Sequence, residues 1–303
     1  MRVAAVDIGS NTLLLLVAEV GDGRLSAVRD ECRFGRLGQD LDETGRLSDR
    51  AIERSLAIVR EYRGILDELS PDVIGVAGTE ALRKAANADA FVGPAAEILG
   101  AAIEVIAGER EAELVYLAAS RSFPDLAADR LVVADVGGGS TEIIVGGAGE
   151  VLSYTSVPIG AVRLSERHLR GDPATADQAR ALVADIDGEL EKLDLPEGVI
   201  LVGTAGTATS LASVEQKLRT YDPDRINGFR LTPGGVDRLL ARFLELTVAE
   251  KRRLVGLEPE RADVIAGGAA IYARLVHRVR APAMVVSNRG LRWGLAYELA
   301  ATQ

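Results

Sequence analysis

Two segments of the chain repeat one pattern, and their aspartates, Asp7 and Asp135, stand 128 positions apart. The first segment reads V-A-A-V-D-I-G-S-N-T from residue 3, and the second reads L-V-V-A-D-V-G-G-G-S from residue 131. Each is an apolar run that reaches an aspartate, then small residues, then a hydroxyl. Such a run is typical of a buried strand that enters a tight turn. The repeat therefore predicts two similar half-molecules that face each other across a cleft.

The residue types in the two turns suit phosphate. Glycine lets the backbone approach a ligand closely, and successive N–H groups in such a turn form a concavity for anions. The aspartate at the end of each strand can hold a divalent cation, directly or through water. One such turn alone is more often an ordinary hairpin turn, but the pair at equivalent positions favours phosphate binding. The substrate-binding residues predicted here are Ser10, Asn11, Thr12, Gly137, Gly138, Gly139, Ser140 and Thr141.

A third small-residue segment, G-T-A-G-T at 203–207, follows the apolar run 199–202 and precedes a predicted helix. The N–H groups of a loop at a helix N-terminus favour anions. Alone, this segment also fits a simple turn. With the other two it predicts a three-walled phosphate cradle that includes Gly203, Thr204, Gly206 and Thr207.

The apolar patterns predict alternating strands and helices. Ser48 is a candidate N-cap for an amphipathic helix over 47–69, and Gly21–Gly23 and Gly146–Gly147 are predicted turns. The predicted strands are 2–8, 12–20, 24–32, 72–78, 101–106, 130–136, 141–146, 199–202 and 282–287. Further helices are predicted over 109–119, 176–193, 234–245 and 260–278, and at the end of the chain. Hairpins that alternate with helices favour an α/β layout of mixed sheets with helices on both faces.

Composition narrows the function classes. The net charge of −10 argues against a general nucleic-acid or anionic-membrane surface, and no apolar run approaches the ~20 residues of a membrane span. Cys32 is the sole cysteine and the chain has two histidines, so neither a zinc cluster nor a Ser–His–Asp site is indicated. No signal-peptide pattern opens the chain. We expect a cytoplasmic protein, and a homodimer stays open.

Two further stretches carry candidate chemistry. Glu109, Glu111 and Glu113 open a predicted helix after Gly108, and their spacing does not decide which of them faces the cleft. For any one of them taken alone, solvation and favourable pairing of an acid with the helix dipole is the better explanation. Arg83 lies in T-E-A-L-R-K-A-A-N at 79–87, where it is either a surface charge or a bidentate partner for phosphoryl oxygens.

Together these motifs resemble the exopolyphosphatase and guanosine pentaphosphate phosphatase family, within the actin–Hsp70–sugar kinase superfamily, over essentially the whole chain. D-I-G-S-N-T at 7–12, D-V-G-G-G-S-T-E at 135–142 and the segment at 79–87 carry the resemblance. I-A-G-E-R-E-A-E-L at 106–114 resembles the family's catalytic-helix motif. The segments V-P-I-G-A-V-R-L, R-A-D-V-I-A-G-G and S-N-R-G-L-R-W-G, from residues 157, 261 and 287, also fit.

The chain departs from the family pattern at three positions. Arg110 and Glu113 replace the usual Glu and Arg of the catalytic-helix motif, whereas Glu111 keeps the position of the family's catalytic glutamate. Asn288 stands where aspartate is common. The sequence also lacks the C-terminal helical region of longer members, which leads us to expect a distributive enzyme with a preference for short chains.

The resemblance implies a fold of two actin-like, ribonuclease H-like α/β domains with the active site in the cleft between them. We expect one domain over 1–125 plus 290–303 and the other over 126–289. The return of the last helix to the first domain is what the resemblance implies.

The implied activity is Mg²⁺-dependent hydrolysis of the terminal phosphoanhydride of inorganic polyphosphate, with Mn²⁺ as an alternative ion. Glu111 would deprotonate the attacking water, and Arg83 would neutralise phosphoryl charge. Asp7, Asp135 and Glu142 would hold the metal or its waters, which also makes Glu142 a candidate catalytic residue.

Three other functions stay open at this point. The same site could hydrolyse guanosine pentaphosphate. The chain could also be a sugar or acetate kinase, although Asn11, in place of the glycine typical of those kinases, and the segment around Arg83 count against it. It could finally be a sensor that binds alarmone or polyphosphate without catalysis, although a sensor has no need of the base Glu111.

Overall fold

Strands and helices alternate along the chain in the computed structural model, which describes residues 1–21 and 24–302. Up to residue 122 the elements are β1 Arg2–Ile8, β2 Leu13–Gly21, β3 Arg24–Arg33, α1 Leu41–Thr44, α2 Asp49–Leu69, β4 Val73–Gly78, α3 Glu80–Lys84, α4 Asp89–Leu99, β5 Ile103–Val105 and α5 Gly108–Ser122. From there to residue 231 they are α6 Pro124–Ala127, β6 Leu131–Val136, β7 Thr141–Gly147, β8 Glu150–Val157, α7 Ala161–His168, α8 Ala176–Leu190, β9 Ile200–Thr204, α9 Ala205–Glu215, α10 Pro223–Ile226 and β10 Arg230–Leu231. The last are α11 Pro233–Glu245, α12 Val248–Lys251, a 3₁₀ turn at Pro259–Arg261, α13 Ile265–Arg278, β11 Met284–Val286 and α14 Leu291–Ala301.

The chain divides into two compact units. The first unit comprises Met1–Ala118 and the segment from Leu291 on, and the second comprises Ala119–Gly290. The first unit holds a five-stranded sheet in the order β3-β2-β1-β4-β5. Its hairpin strands β1, β2 and β3 pair antiparallel, and β1, β4 and β5 run parallel.

Strand β1 shows how the first sheet is buried on both faces. Ala4, Val6 and Ile8 point into a core that includes the apolar face of α2. Val3 and Ala5, on the opposite face, pack with Trp293 of α14. Successive side chains of a strand alternate between faces, so the apolar run at residues 3–6 of β1 needs a cover on each side.

Helix α2 begins where the sequence predicts a cap. The Ser48 side chain accepts a hydrogen bond from the Ala51 amide. Ile52, Val59 and Leu66 are buried at helical spacing. The hydroxyl of the fully buried Tyr62 donates to Leu13 O at 2.6 Å, which fixes α2 against β2.

The second unit repeats this plan around a six-stranded sheet. Its order is β10-β11-β9-β6-β7-β8. Strands β6, β7 and β8 pair antiparallel, and β6, β9 and β11 run parallel. The repeated segments therefore occupy equivalent strands, β1 and β6, and the prediction of two α/β units with mixed sheets flanked by helices is confirmed.

Three local predictions fail or fall outside the described residues. The turn predicted at Gly146–Gly147 is wrong, because both residues belong to β7 beside a bulge and the chain reverses at Ala148 and Gly149, which have positive φ. The helix predicted over 260–278 begins at Ile265, after the 3₁₀ turn. In the predicted turn at 21–23, Asp22 and Gly23 lie outside the described residues.

Over the described residues, none of the helices combines the length and the apolar character that a membrane crossing requires.

Candidate functional site

The two repeated turns are closed by the same hydrogen bond. The Gly9 amide donates to Thr12 O at 3.0 Å, and the Gly137 amide donates to Ser140 O at 3.0 Å. Each turn follows the first strand of its own sheet and leads into an antiparallel partner. The sequence repeat is thus a repeat of backbone shape.

Backbone from elsewhere in each unit holds each turn in place. Ser10 O accepts a hydrogen bond from the Gly38 amide at 2.8 Å, and Gly138 O accepts from the Val162 amide at 3.0 Å. Gly160 lies so close to the second turn that a Cβ there would stand 2.3 Å from Gly138 O. Only glycine fits at 160 without a shift of the second turn.

An ion pair joins Arg83 and Glu111 in the first unit. Arg83 lies on α3, directly after β4, and Glu111 lies in the first turn of α5. The Arg83 Nη1 group donates to Glu111 Oε2 at 2.9 Å and to Ile106 O at 2.9 Å. The pair leaves 27 % of the Arg83 side chain and 17 % of the Glu111 side chain exposed, so a small solute can reach it.

The carboxyl groups near this pair resist ionisation. Burial raises the pKa of Glu111 above its ordinary value, and Arg83 opposes that rise. Burial also raises the pKa of Asp7 to about 7, with a further contribution from the charge of Glu111 and opposition from Arg292. The carboxylates of Asp7 and Glu111 therefore share a poorly solvated region that a cation would stabilise.

The altered charges of the catalytic-helix motif are paired with each other and not with Glu111. Arg110 donates to Glu113 at 3.1 Å and also bonds Glu298 on α14. Glu113 is 56 % exposed in this pair. Of the two carboxylates, Glu111 contacts the predicted phosphate-binding arginine, whereas Glu113 contacts Arg110.

In the second unit, Asp135 stands opposite Glu142 in the β6–β7 pair. Glu142 is buried, and its Oε1 accepts hydrogen bonds from Ser140 Oγ and Ser156 Oγ, each at 2.8 Å. These contacts make Glu142 a fixed acceptor that holds the second turn. Its metal and catalytic roles stay predictions.

At residues 203–207, where a third loop was predicted, the chain passes directly from β9 into α9. Gly203 and Thr204 complete β9, and α9 starts at once with Ala205, whose φ of 63° is unusual for a residue with a side chain. Gly206 and Thr207 therefore belong to the first turn of α9, where N–H groups lack partners in the helix. The 1 %-exposed Thr204 hydroxyl has no hydrogen-bond partner within the described residues.

Two predicted substrate-binding residues pack into the second unit. The fully buried Thr141 gives its hydroxyl to Ile159 O at 2.6 Å. Gly203 adjoins Tyr272 and Met284, and a Cβ there would lie 2.9 Å from the Tyr272 ring. The Thr141 hydroxyl is thus used within the second unit, and the roles of Thr141 and Gly203 in substrate binding stay predictions that only their backbone groups could fulfil.

Parallel strands bring the other predicted residues of the second unit to one edge of its sheet. Asp135 and Thr204 are neighbours in the β6–β9 pair, and the Tyr272 hydroxyl lies 3.0 Å from Ala134 O and 2.6 Å from Thr204 O. Ligands of open α/β sheets bind outside the carboxyl ends of the strands, which is this edge.

Sequence reasoning missed two residues around these groups. Arg292 donates hydrogen bonds to both carboxylate oxygens of Asp30, at 2.8 and 2.9 Å, and its charge lowers the pKa of Asp7. Ser156 bonds Glu142 across the β7–β8 pair. Arg292 stands in a quoted family segment, which was a usable signal, whereas the Ser156 contact depends on strand register.

The acidic residues can hold a metal only with help from water or substrate. Among residues 1–21 and 24–302, no three side chains of the Asp, Glu, His or Cys type gather at one point. Mg²⁺ is commonly bound by one or two carboxylates together with waters and substrate phosphates. Asp7, whose carboxyl lies in a poorly solvated region beside a second carboxylate, fits that manner of binding.

The chain is similar to known proteins over its whole length. It is 37% identical to exopolyphosphatase 2 of Mycobacterium tuberculosis, with 99% of this chain and 98% of that protein aligned. It is 31% identical to a guanosine-5'-triphosphate,3'-diphosphate pyrophosphatase of Vibrio cholerae, of which it spans 59%.

Two solved structures share the fold. The Aquifex aeolicus member of the Ppx/GppA protein family matches with a TM-score of 0.87 at 34% identity, over 100% of this chain and 98% of that chain. An exopolyphosphatase from Cytophaga hutchinsonii matches with a TM-score of 0.89 at 25% identity, over 100% and 98%. The predicted actin-like fold class is confirmed. A family model for the Ppx/GppA phosphatase family matches residues 16–303, and the chain belongs to that family.

Proposed function

We propose that the protein removes the terminal phosphate of inorganic polyphosphate by hydrolysis. The observation that carries the proposal is the ion pair between Arg83 and Glu111 beside Asp7. The full-length similarity to exopolyphosphatase 2 of Mycobacterium tuberculosis supports this substrate.

In the proposed reaction, Glu111 accepts a proton from the attacking water. The water oxygen forms a bond to the terminal phosphorus, and the bond from phosphorus to the bridging oxygen breaks. The products are orthophosphate and a chain shorter by one phosphate. Hydrolysis of this kind depends mainly on positioning and on neutralisation of charge.

Arg83 can donate hydrogen bonds to the substrate while it keeps its bond to Glu111. A guanidinium carries five N–H donors, and the two hydrogen bonds that Arg83 donates to described residues both come from Nη1. We assign its remaining donors to oxygens of the terminal phosphoryl group, where they offset the developing negative charge.

The turns supply further donors in each unit. We assign the N–H groups of residues 10–12 and 138–140, with the side chains of Ser10, Asn11 and Thr12, to phosphoryl oxygens. The Thr204 hydroxyl, which has no hydrogen-bond partner within the described residues, joins this set together with the first amides of α9, including those of Gly206 and Thr207.

Asp7 and Asp135 are the candidate ligands of Mg²⁺, each at the end of a strand in its own unit. When bound, the ion supplies positive charge that neutralises phosphoryl oxygens. Hard oxygen donors favour Mg²⁺ or Mn²⁺ over metals that prefer sulfur.

Release of orthophosphate from polyphosphate, with and without Mg²⁺, tests the proposal. We expect release by the wild-type chain with Mg²⁺ and little from Glu111→Gln. Absence of release by the folded wild-type chain under both conditions would refute the function.

Hydrolysis of guanosine pentaphosphate is a second candidate. The Vibrio cholerae relative, named for a guanosine nucleotide, aligns with 98% of this chain. The same phosphate assay with guanosine pentaphosphate at equal concentration ranks the two substrates by kcat/KM.

A further inference from the structure

A basic concavity of about 600 Å³ lies on the second unit between α9 and α10. Residues 217–223 and Arg225 line it. Lys217 turns the chain after α9 with a φ of 54°, and Leu218 is buried beneath. The Asp222 side chain caps α10 by accepting hydrogen bonds from the amides of Asp224 and Arg225.

The charge of this concavity opposes that of the whole protein. Lys217, Arg219 and Arg225 are exposed, and none of them forms an ion pair within the described residues. The lining carboxylate, Asp222, is already used at the start of α10. Three cations that form no ion pair within the described residues outnumber this one lining carboxylate, so the concavity is locally positive in a chain with a net charge of −10 and favours an anion.

The concavity also offers an aromatic surface. Tyr221 lines it and is 52 % exposed. Phosphate groups pair with guanidinium groups through charge-assisted hydrogen bonds, and nucleobases stack on aromatic rings. The combination fits a ligand with several phosphates and leaves room for a base.

Asn288 connects the concavity with the sheet. Asn288 lies two residues after the end of β11, and its Nδ2 donates to Pro223 O at 3.1 Å. The neutral amide makes this contact without adding a negative charge beside the concavity. Asn288 therefore holds one wall of the concavity and leaves its charge unchanged.

We propose that the concavity lined by Lys217, Arg219, Tyr221 and Arg225 binds an oligophosphate at a site of its own. The ligand is either an inorganic chain or a nucleoside polyphosphate. The proposal does not rest on the hydrolytic function, because it concerns binding at residues remote in sequence from Glu111 and Arg83.

The fluorescence of a tryptophan placed in the concavity reports on binding at that position. Tyr221→Trp adds a second tryptophan to a chain that has one, Trp293. Tripolyphosphate or GTP is titrated into this full-length variant without added metal, and the change in emission is compared with that of the parent chain. We expect saturable changes that the parent lacks, and tighter binding of GTP identifies a nucleoside ligand whereas equal affinity identifies an inorganic one.

Two variants made on top of Tyr221→Trp decide whether the cations form the site. Arg219→Gln with Arg225→Gln should weaken binding about tenfold for each arginine removed. Arg170→Gln, an exposed arginine elsewhere in the same unit, should leave the affinity unchanged. An emission that neither ligand alters, or an affinity that survives loss of both arginines, would overturn the proposal. Orthophosphate release by the wild-type chain is unaffected by either outcome and tests the hydrolytic function separately.

Discussion

At the scale of single residues, two carboxylates near the start of α5 differ in the side chains that they contact. Glu111 bonds Arg83, and Glu113 bonds Arg110. We expect Glu111→Gln to lower turnover by ~10²–10⁴-fold while substrate binding is largely kept, because the amide retains size but cannot take the proton. Glu113→Gln is the matched control, with turnover near wild type. Steady-state phosphate release checks both, and a Glu111→Gln variant with wild-type turnover would move the base elsewhere.

The pH dependence of turnover follows from the surroundings of Glu111. Burial raises its pKa, and Arg83 lowers it. The base must be ionised, so activity falls as the pH drops through this raised pKa. Arg83→Met removes the opposing cation, which raises the pKa further and moves the acid limb of the kcat profile to higher pH.

Arg121→Met is the control for this pH effect. Arg121 lies on the same helix, ten residues after Glu111 and thus about 15 Å along the axis. Its loss should leave the acid limb in place. An acid limb that moves equally in both variants, or in neither, contradicts the role of Arg83.

The glutamates of α5 also show which part of the candidate site could be predicted from the sequence. The motif position singled out Glu111, but the spacing of Glu109, Glu111 and Glu113 did not. The deciding contact comes from Arg83, which is 28 residues away in the chain. A pattern along one helix cannot reveal a partner that the fold brings from another.

At the scale of elements, α14 and α5 approach at backbone distance. A Cβ at Gly294 would lie 1.9 Å from Leu114 O, on the helix that carries Glu111. Gly294→Ala should therefore lower the thermal midpoint and reduce turnover, since α5 must shift to admit the methyl group.

Gly64→Ala is the control for α14 packing. Gly64 lies inside α2 and has open space where a Cβ would stand, so alanine should raise the stability of that helix by roughly 0.5–1 kcal/mol. Thermal unfolding followed by circular dichroism measures both variants. Equal midpoints for the two would show that the α5–α14 contact tolerates a side chain.

Elements were predictable where local rules decide them. Ser48 caps α2 as expected, and strands β1 and β6 follow their apolar runs. The turn at Gly146–Gly147 was wrong because a glycine pair satisfies a bulged strand as readily as a turn. The loop at 203–207 was wrong because β9 runs directly into α9 through the left-handed Ala205.

At the scale of the whole molecule, the protein and its proposed substrate both carry a net negative charge. The chain carries a net charge of −10, and polyphosphate is a polyanion. A divalent cation should be needed to offset their repulsion, so EDTA should abolish phosphate release and Mg²⁺ should restore it.

Asp135→Asn should raise the Mg²⁺ concentration that gives half-maximal activity. Asp129→Asn, an exposed residue before β6, is its control, and full activity in EDTA would refute metal dependence.

The shared hydrogen bond of the two turns points to an ancestry by duplication. Gly9 and Gly137 close their turns with bonds of equal length, on strands with equivalent neighbours. After such a copying event the two halves can diverge. In the first, β4 is followed by the helix that carries Arg83, and in the second, β9 is followed by small residues at the start of α9. We expect the first unit to have specialised in hydrolysis of the phosphoanhydride bond and the second in substrate binding. Substitutions in the first unit should then alter mainly the turnover rate, and substitutions in the second mainly the affinity for substrate.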